Sequence, residues 1–134
     1  MNCIFCKIIA GEITSYKVYE DDKTLAFLDI SPVNPGHTLV IPKEHYANMS
    51  ELPDEILCHL AKVVKKIAPA ILSAVGSQGF NLGLNNGSVS GQLVDHFHWH
   101  IMPRFEDDGW ELWHGKTYGE GQAEEIIEKI KQSL

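Results

Sequence analysis

The chain has 134 residues, with 11 Lys and Arg against 18 Asp and Glu, giving a net charge of −7 at pH 7. That length fits one domain over residues 1–134, which buries roughly two-thirds of its unfolded surface without staples; 44% apolar and 22% charged residues exclude a disordered chain. The acidic balance argues against a nucleic-acid or anionic-membrane partner, each of which needs a basic face, and leaves room for a small anionic substrate where cations gather locally.

The opening residues, MNCIFCKIIA, carry no basic leader or clean apolar run. Three cysteines, two of them as Cys3-x-x-Cys6, suggest metal or redox chemistry in a reducing compartment, and a cytoplasmic location is expected. Ile4, Phe5, Ile8 and Ile9 predict a short helix stopped at Gly11. Residues 17–22 and 24–29 read as strands joined by Asp21, Asp22 and Lys23 in a hairpin. Residues 31–36 (SPVNPG) form a rigid turn, and 37–42 (HTLVIP) form a third strand closed by Pro42.

Between residues 54 and 75, Ile56, Leu57, Leu60, Val63, Val64, Ile67, Ile71 and Leu72 recur at three- and four-residue steps, which predicts the main helix. Cys58 is expected in its core and His59 at its surface, with Pro69 kinking the helix near residues 65–66 or splitting it in two. The uncharged run from Ile67 to Val94 contains Pro69 and many Gly, Ser and Asn residues, so it does not read as a membrane span. A fourth strand over 80–85, a glycine-rich loop over 86–91, a fifth strand over 96–102 and a helix over 123–132 follow. The expected fold is α+β: an antiparallel five-stranded sheet packed with one long helix, plus short N- and C-terminal helices.

The fifth strand carries the chemistry. Its period of two puts His96, His98 and His100 on one face and Phe97, Trp99 and Ile101 on the other, with neighbouring histidine Cα atoms roughly 6.6 to 6.8 Å apart. Three readings are open: a solvated polar face, three ligands of one zinc or iron ion, or separate roles as nucleophile, orienting group and substrate-binding group. The preceding Gly87–Gly91 loop offers backbone N–H groups to an anion, and Pro103-Arg104 ends the strand with a cation.

The run HFHWHIM, preceded by Gly91-Gln92 and followed by Pro103-Arg104, resembles the signature of the histidine triad family of nucleotide hydrolases and transferases. So do FLDISP at 27–32, GHTLVIPKEH at 36–45 and CIFCKIIAGEI at 3–13; the branch resembled is the small, HINT-like purine nucleoside phosphoramidase group, over residues 1–105. The resemblance implies a HIT-like fold in which His98 attacks the α-phosphorus of an AMP-type purine nucleotide. A nucleotidyl-histidine forms and water then cleaves it. His100 contacts the phosphate and assists proton transfer, and His96 completes the catalytic triad. The resemblance gives Asp29 the ribose hydroxyls and sets Ile30, Phe5 and Ile8 around the purine. Asn85, Gly91 and Gln92 fall on the phosphate or leaving-group side, and His37 lies close to the triad. Leu93 departs from the small hydroxyl residue found in some members.

Zinc-bearing members imply a closed structural zinc site from Cys3, Cys6, His45 and His96; the other reading of Cys3 and Cys6 is a pair of small buried residues. A homodimer is also implied. Residues 106–134 match least, and Trp110 and Trp113, beside Asp107, Asp108 and Glu111, suit a lid, a subunit contact or simple packing; His114 has no assigned role. Three functions are carried forward: cleavage of a phosphoramidate or phosphoanhydride at the α-phosphate, zinc-dependent hydrolysis with the triad on one metal, and a non-catalytic nucleotide-binding module.

Overall fold

A computed structural model describes residues 2–134. In chain order the elements are α1 (Ile4–Ile9), β1 (Lys17–Glu20), β2 (Thr24–Leu28), β3 (Thr38–Pro42), α2 (Asp54–Val75), β4 (Gly79–Leu84), β5 (Trp99–Arg104) and α3 (Gln122–Ser133). The five strands form one antiparallel sheet in the order β1-β2-β3-β5-β4, which is the expected α+β architecture. No helix among the described residues is long and apolar enough to cross a membrane.

Alternation in β2 and β3 divides the core between the two sheet faces. Ala26 and Val40 face α2, while Leu25, Phe27, Leu39 and Ile41 face α1. Leu60, Val63, Val64, Ile67, Ala68 and Ile71 of α2 are buried against the first face with Phe97 and Ile101. Each large apolar side chain among them stabilises the fold by roughly 1.5–3 kcal/mol. The opposite face of the sheet is left to α1 and to the histidines.

α2 runs unbroken through Pro69, so it is one helix and not two. Pro69 is exposed, and on that side water can satisfy the carbonyl its ring leaves unpaired. Cys58 is also exposed, against the expectation that it joins the core. It lies two positions from Leu60, about 200° around the helix, which turns it out of the stripe. His59 serves the fold: its Nε2 lies 2.8 Å from Asp21 Oδ2 and ties α2 to the β1–β2 hairpin. Burial works against the Asp21 carboxylate, yet hydrogen bonds from the Lys23 N–H, the His59 ring and the Tyr19 hydroxyl hold its pKa down at about 2.

The fifth strand starts later than expected. Its ladder with β3 begins at the pair Val40–Trp99, so His96, Phe97 and His98 approach the sheet without pairing in it. Extending the register by two places sets Phe97 opposite Pro42, which has no N–H to donate. The Phe97 N–H goes instead to the Tyr46 carbonyl at 2.6 Å. The faces nevertheless follow the expectation: Phe97, Trp99 and Ile101 pack on the α2 side.

Gly36 closes the turn before β3 with φ +89°; an added Cβ would meet Val75 Cγ1 at 3.0 Å and Ile71 and Pro103 at 3.2 Å. Gly36→Ala therefore combines left-handed strain with overpacking and is expected to cost about 3 kcal/mol. Urea denaturation checks this through a lowered midpoint with an unchanged slope.

Candidate active site and metal centre

On the α1 side of the sheet, a cavity of about 340 Å³ is lined by Phe5 and Ile8 of α1, Phe27, Asp29 and Ile30 at the end of β2, Asn85, Gly91 and Leu93 of the glycine-rich loop, and His98 and His100. Its walls are apolar near α1 and polar near the two imidazoles. Ile30 is 85% exposed at the rim, whereas Phe5 and Ile8 are buried beneath.

The hydrogen bonds fix a tautomer for each ring. His98 Nδ1 lies 2.7 Å from the His96 carbonyl. A carbonyl only accepts, so the proton sits on Nδ1 and the lone pair on Nε2, which has no partner among the described residues. His37 Nδ1 accepts from the Val33 N–H at 3.1 Å, so His37 carries its proton on Nε2. That proton points at His100 Nδ1, 2.9 Å away. His100 is thereby left with its proton on Nε2, an atom that is buried without a partner. Neighbouring rings, 4.9 Å apart at their centroids, thus present opposite functions: a lone pair on His98 and an N–H on His100.

Burial pushes the pKa values of His37, His98 and His100 below 6.5, which keeps all three rings neutral at pH 7. For His100, burial leads and the neighbouring His98 and His37 add to it, giving a value of about 4 against the partial opposition of Asp29. Between about pH 4 and 6.5 the unfolded chain therefore binds a proton at this residue that the folded chain refuses, so stability rises with pH across that window. Urea midpoints measured from about pH 4.5 to 7 are expected to fall on acidification, and to fall less in His100→Gln.

Asp29 divides its two oxygens. Oδ1 accepts from the Ser31 N–H at 2.8 Å, closing the turn after β2, and Oδ2 lies 3.7 Å from His37 Nε2. Gln92 does not line the cavity. Its Oε1 accepts from Gly87 N–H at 2.9 Å and its Nε2 donates to the Ala47 and Val94 carbonyls, so the amide braces the loop. The N–H groups of Gly87, Ser90, Gly91 and Gln92 are likewise engaged within the loop, and the Leu93 N–H has no partner among the described residues. Asn85 stands beside Gly91, whose φ of +96° turns the chain back toward it.

His96 lies outside this cavity. Its Nε2 donates to the Pro42 carbonyl at 2.8 Å, which turns Nδ1 toward Cys3 Sγ at 3.5 Å and Cys6 Sγ at 3.6 Å. His45 Nδ1 lies 3.3 Å from Cys6 Sγ. One donor atom from each of Cys3, Cys6, His45 and His96 falls within 4.8 Å of the others. Two thiols and two imidazoles gathered in this way fit a tetrahedral zinc ion, and the bond from His96 to Pro42 is the outer-shell support such a ligand requires. Burial, reinforced by the Cys3 thiol, raises Cys6 to about 11, so a metal must displace protons to bind. Among the described residues the donor atoms of His96, His98 and His100 do not converge on one point, which removes the reading of the triad as three ligands of one catalytic metal.

Known proteins resemble this chain over most of its length. The HIT domain model matches residues 10–107. The adenosine 5'-monophosphoramidase of Schizosaccharomyces pombe is 43% identical, over 98% of this chain and all of that protein. A crystal structure of a HIT family member from Bacillus subtilis superposes with a TM-score of 0.91 at 46% identity, covering 100% of this chain and 98% of the other. A Zn-bound histidine triad family protein from Mycobacterium smegmatis gives a TM-score of 0.79 at 31% identity, over 100% of this chain and 99% of that one.

Proposed function

The chain belongs to the HIT domain family, and from that premise we propose that it is a nucleotide hydrolase cleaving the bond between an amine and the α-phosphate of a purine nucleotide through a nucleotidyl-His98 intermediate. The observation that carries this reading is the opposed tautomers of His98 and His100. His98 Nε2 attacks phosphorus, forming a P–N bond as the bond to the leaving nitrogen breaks. His100 Nε2–H donates a hydrogen bond to a phosphate oxygen as charge builds there, the departing amine takes a proton from solvent, and the water that cleaves the His98 adduct returns one as its oxygen bonds to phosphorus. AMP and a neutral His98 are restored.

Asp29 Oδ2 supports a role in holding the ribose hydroxyls, with Phe5, Ile8 and Ile30 beside the base and Asn85, Gly91 and the Leu93 N–H around the phosphate. Cys3, Cys6, His45 and His96 would hold a structural zinc that pins α1 to the sheet. β4 supports a homodimer: it is an edge strand of sequence GFNLGL, free of charge, with Phe80 and Leu82 exposed. The test is intact-protein mass spectrometry on samples quenched in alkaline denaturant during turnover of adenosine 5'-phosphoramidate. One adenylyl group on the peptide carrying His98 is expected; turnover with no adduct and no burst of amine overturns the covalent route.

A further inference from the structure

Cys3 and Cys6 have two sets of partners within reach. Across the fold, Cys3 Sγ faces His96 Nδ1 and Cys6 Sγ faces His45 Nδ1, 93 and 39 residues away in the chain. Within α1 they face each other: Cys3 is the N-cap residue, its Sγ accepts from the Cys6 N–H at 3.3 Å, and the two sulfurs lie within 4.8 Å. Side chains three apart on a helical turn are neighbours, so rotation of the two thiols is enough to bring sulfur to sulfur. A cavity of about 550 Å³ reaches Cys3 and His45, and Cys6 is half-buried, which gives a solute as small as hydrogen peroxide a path to the pair.

The two arrangements anchor α1 differently. Ligation joins it to the segment after β3 and to the approach to β5. A Cys3–Cys6 bridge closes a loop inside a turn that is already set, which constrains the chain little. α1 has six residues and too few turns to stand without tertiary support. Between the cysteines, Phe5 stands edge-on to His96 and His98, with centroids 5.8 and 5.1 Å apart, and with Ile8 it walls the catalytic cavity. Loosening α1 therefore loosens that wall.

We propose that Cys3 and Cys6 are a peroxide-responsive dithiol, whose oxidation to a disulfide exchanges the anchorage of α1 across the fold for a local one and weakens the nucleotide cavity. The effect on nucleotide rests on the reading of that cavity given above. The Cys6 thiolate attacks one peroxide oxygen; the O–O bond breaks, hydroxide leaves and a sulfenic acid forms. The Cys3 thiolate attacks that sulfur, and a second hydroxide leaves as the S–S bond closes. Two electrons pass from sulfur to peroxide, and two protons from solvent turn the hydroxides into water. His45 and His96 alone do not make a closed tetrahedral site.

The test uses the native protein and Cys58→Ser, which lacks the exposed third thiol, both loaded with zinc and treated with a few equivalents of hydrogen peroxide. In both, the tryptic peptide ending at Lys7 is expected to lose two hydrogens by mass spectrometry, in step with release of one zinc per chain to a colorimetric chelator. Calorimetric titration with AMP is expected to give about tenfold weaker binding, as follows when a tenth of the chains keep the cavity wall in place. Dithiothreitol with added zinc reverses all three changes, and Cys6→Ser shows neither the disulfide nor any effect of peroxide on AMP. Zinc retained while Cys58 alone is oxidised, a sulfinic acid in place of the disulfide, or AMP affinity unchanged once the disulfide is complete overturns the proposal. A disulfide that releases zinc from a protein with no affinity for AMP even before treatment supports the dithiol and removes the nucleotide reading.

Discussion

His98→Ala lowers turnover of adenosine 5'-phosphoramidate by roughly four to six orders of magnitude, the loss seen when a covalent nucleophile is deleted from a unit that acts together. Alanine offers no atom to phosphorus, and water in its place must attack without the approach that the His96 carbonyl imposes on the imidazole. The fold is expected to survive. His98 is 6% exposed but lines a cavity already open to solvent, and Phe5 packs edge-on against its ring, 5.1 Å away between centroids. Nucleotide affinity is expected to change little, because Asp29 and the apolar wall near α1 remain. Calorimetric titration with AMP together with a steady-state assay checks both halves. Turnover within about tenfold of the native protein would sink the nucleophile assignment.

Loss of the four-ligand centre is expected to have the larger effect on stability. Cys6→Ser removes one of two thiolates, and the remaining donors no longer form a closed tetrahedral set. If the native protein folds with free zinc about a thousandfold above its dissociation constant, the centre stabilises it by roughly 4 kcal/mol. For a chain of this length that is a fall of about 15 °C in melting temperature. A strong chelator should produce a similar fall in the native protein and none in Cys6→Ser. A native melting temperature indifferent to the chelator, at full zinc loss by elemental analysis, would show that the four side chains do not carry stability through a metal.

Much of this molecule was legible in its sequence because the signals were local. The stripe of α2 sets its bounds, and α1 stops before Gly11 as expected. The gathering of Cys3, Cys6, His45 and His96 came from the family resemblance, since the spacing of two thiols alone describes half a site. What stayed hidden depends on which residues meet across the fold. The ladder of β5 starts at Trp99 because Pro42 faces Phe97 across the register. Gln92 braces its loop because the Ala47 carbonyl arrives from another segment. The Arg104–Asp108 ion pair joins residues four apart in the sequence, yet Asp108 also accepts from Asn34 and Arg104 also donates to Asn81, which no periodicity connects to them.

His96 contributes its ring to one centre and its main-chain oxygen to the other. Every amino acid brings that oxygen, so the aim of the neighbouring imidazole is indifferent to which side chain stands at position 96. Divergence can therefore replace the two thiols and two imidazoles of this cluster one by one, provided that packing replaces their anchorage, without disturbing the hydrogen bond that sets the His98 tautomer. On the reading proposed above, dependence on a metal and hydrolytic competence would be separately heritable traits in this scaffold.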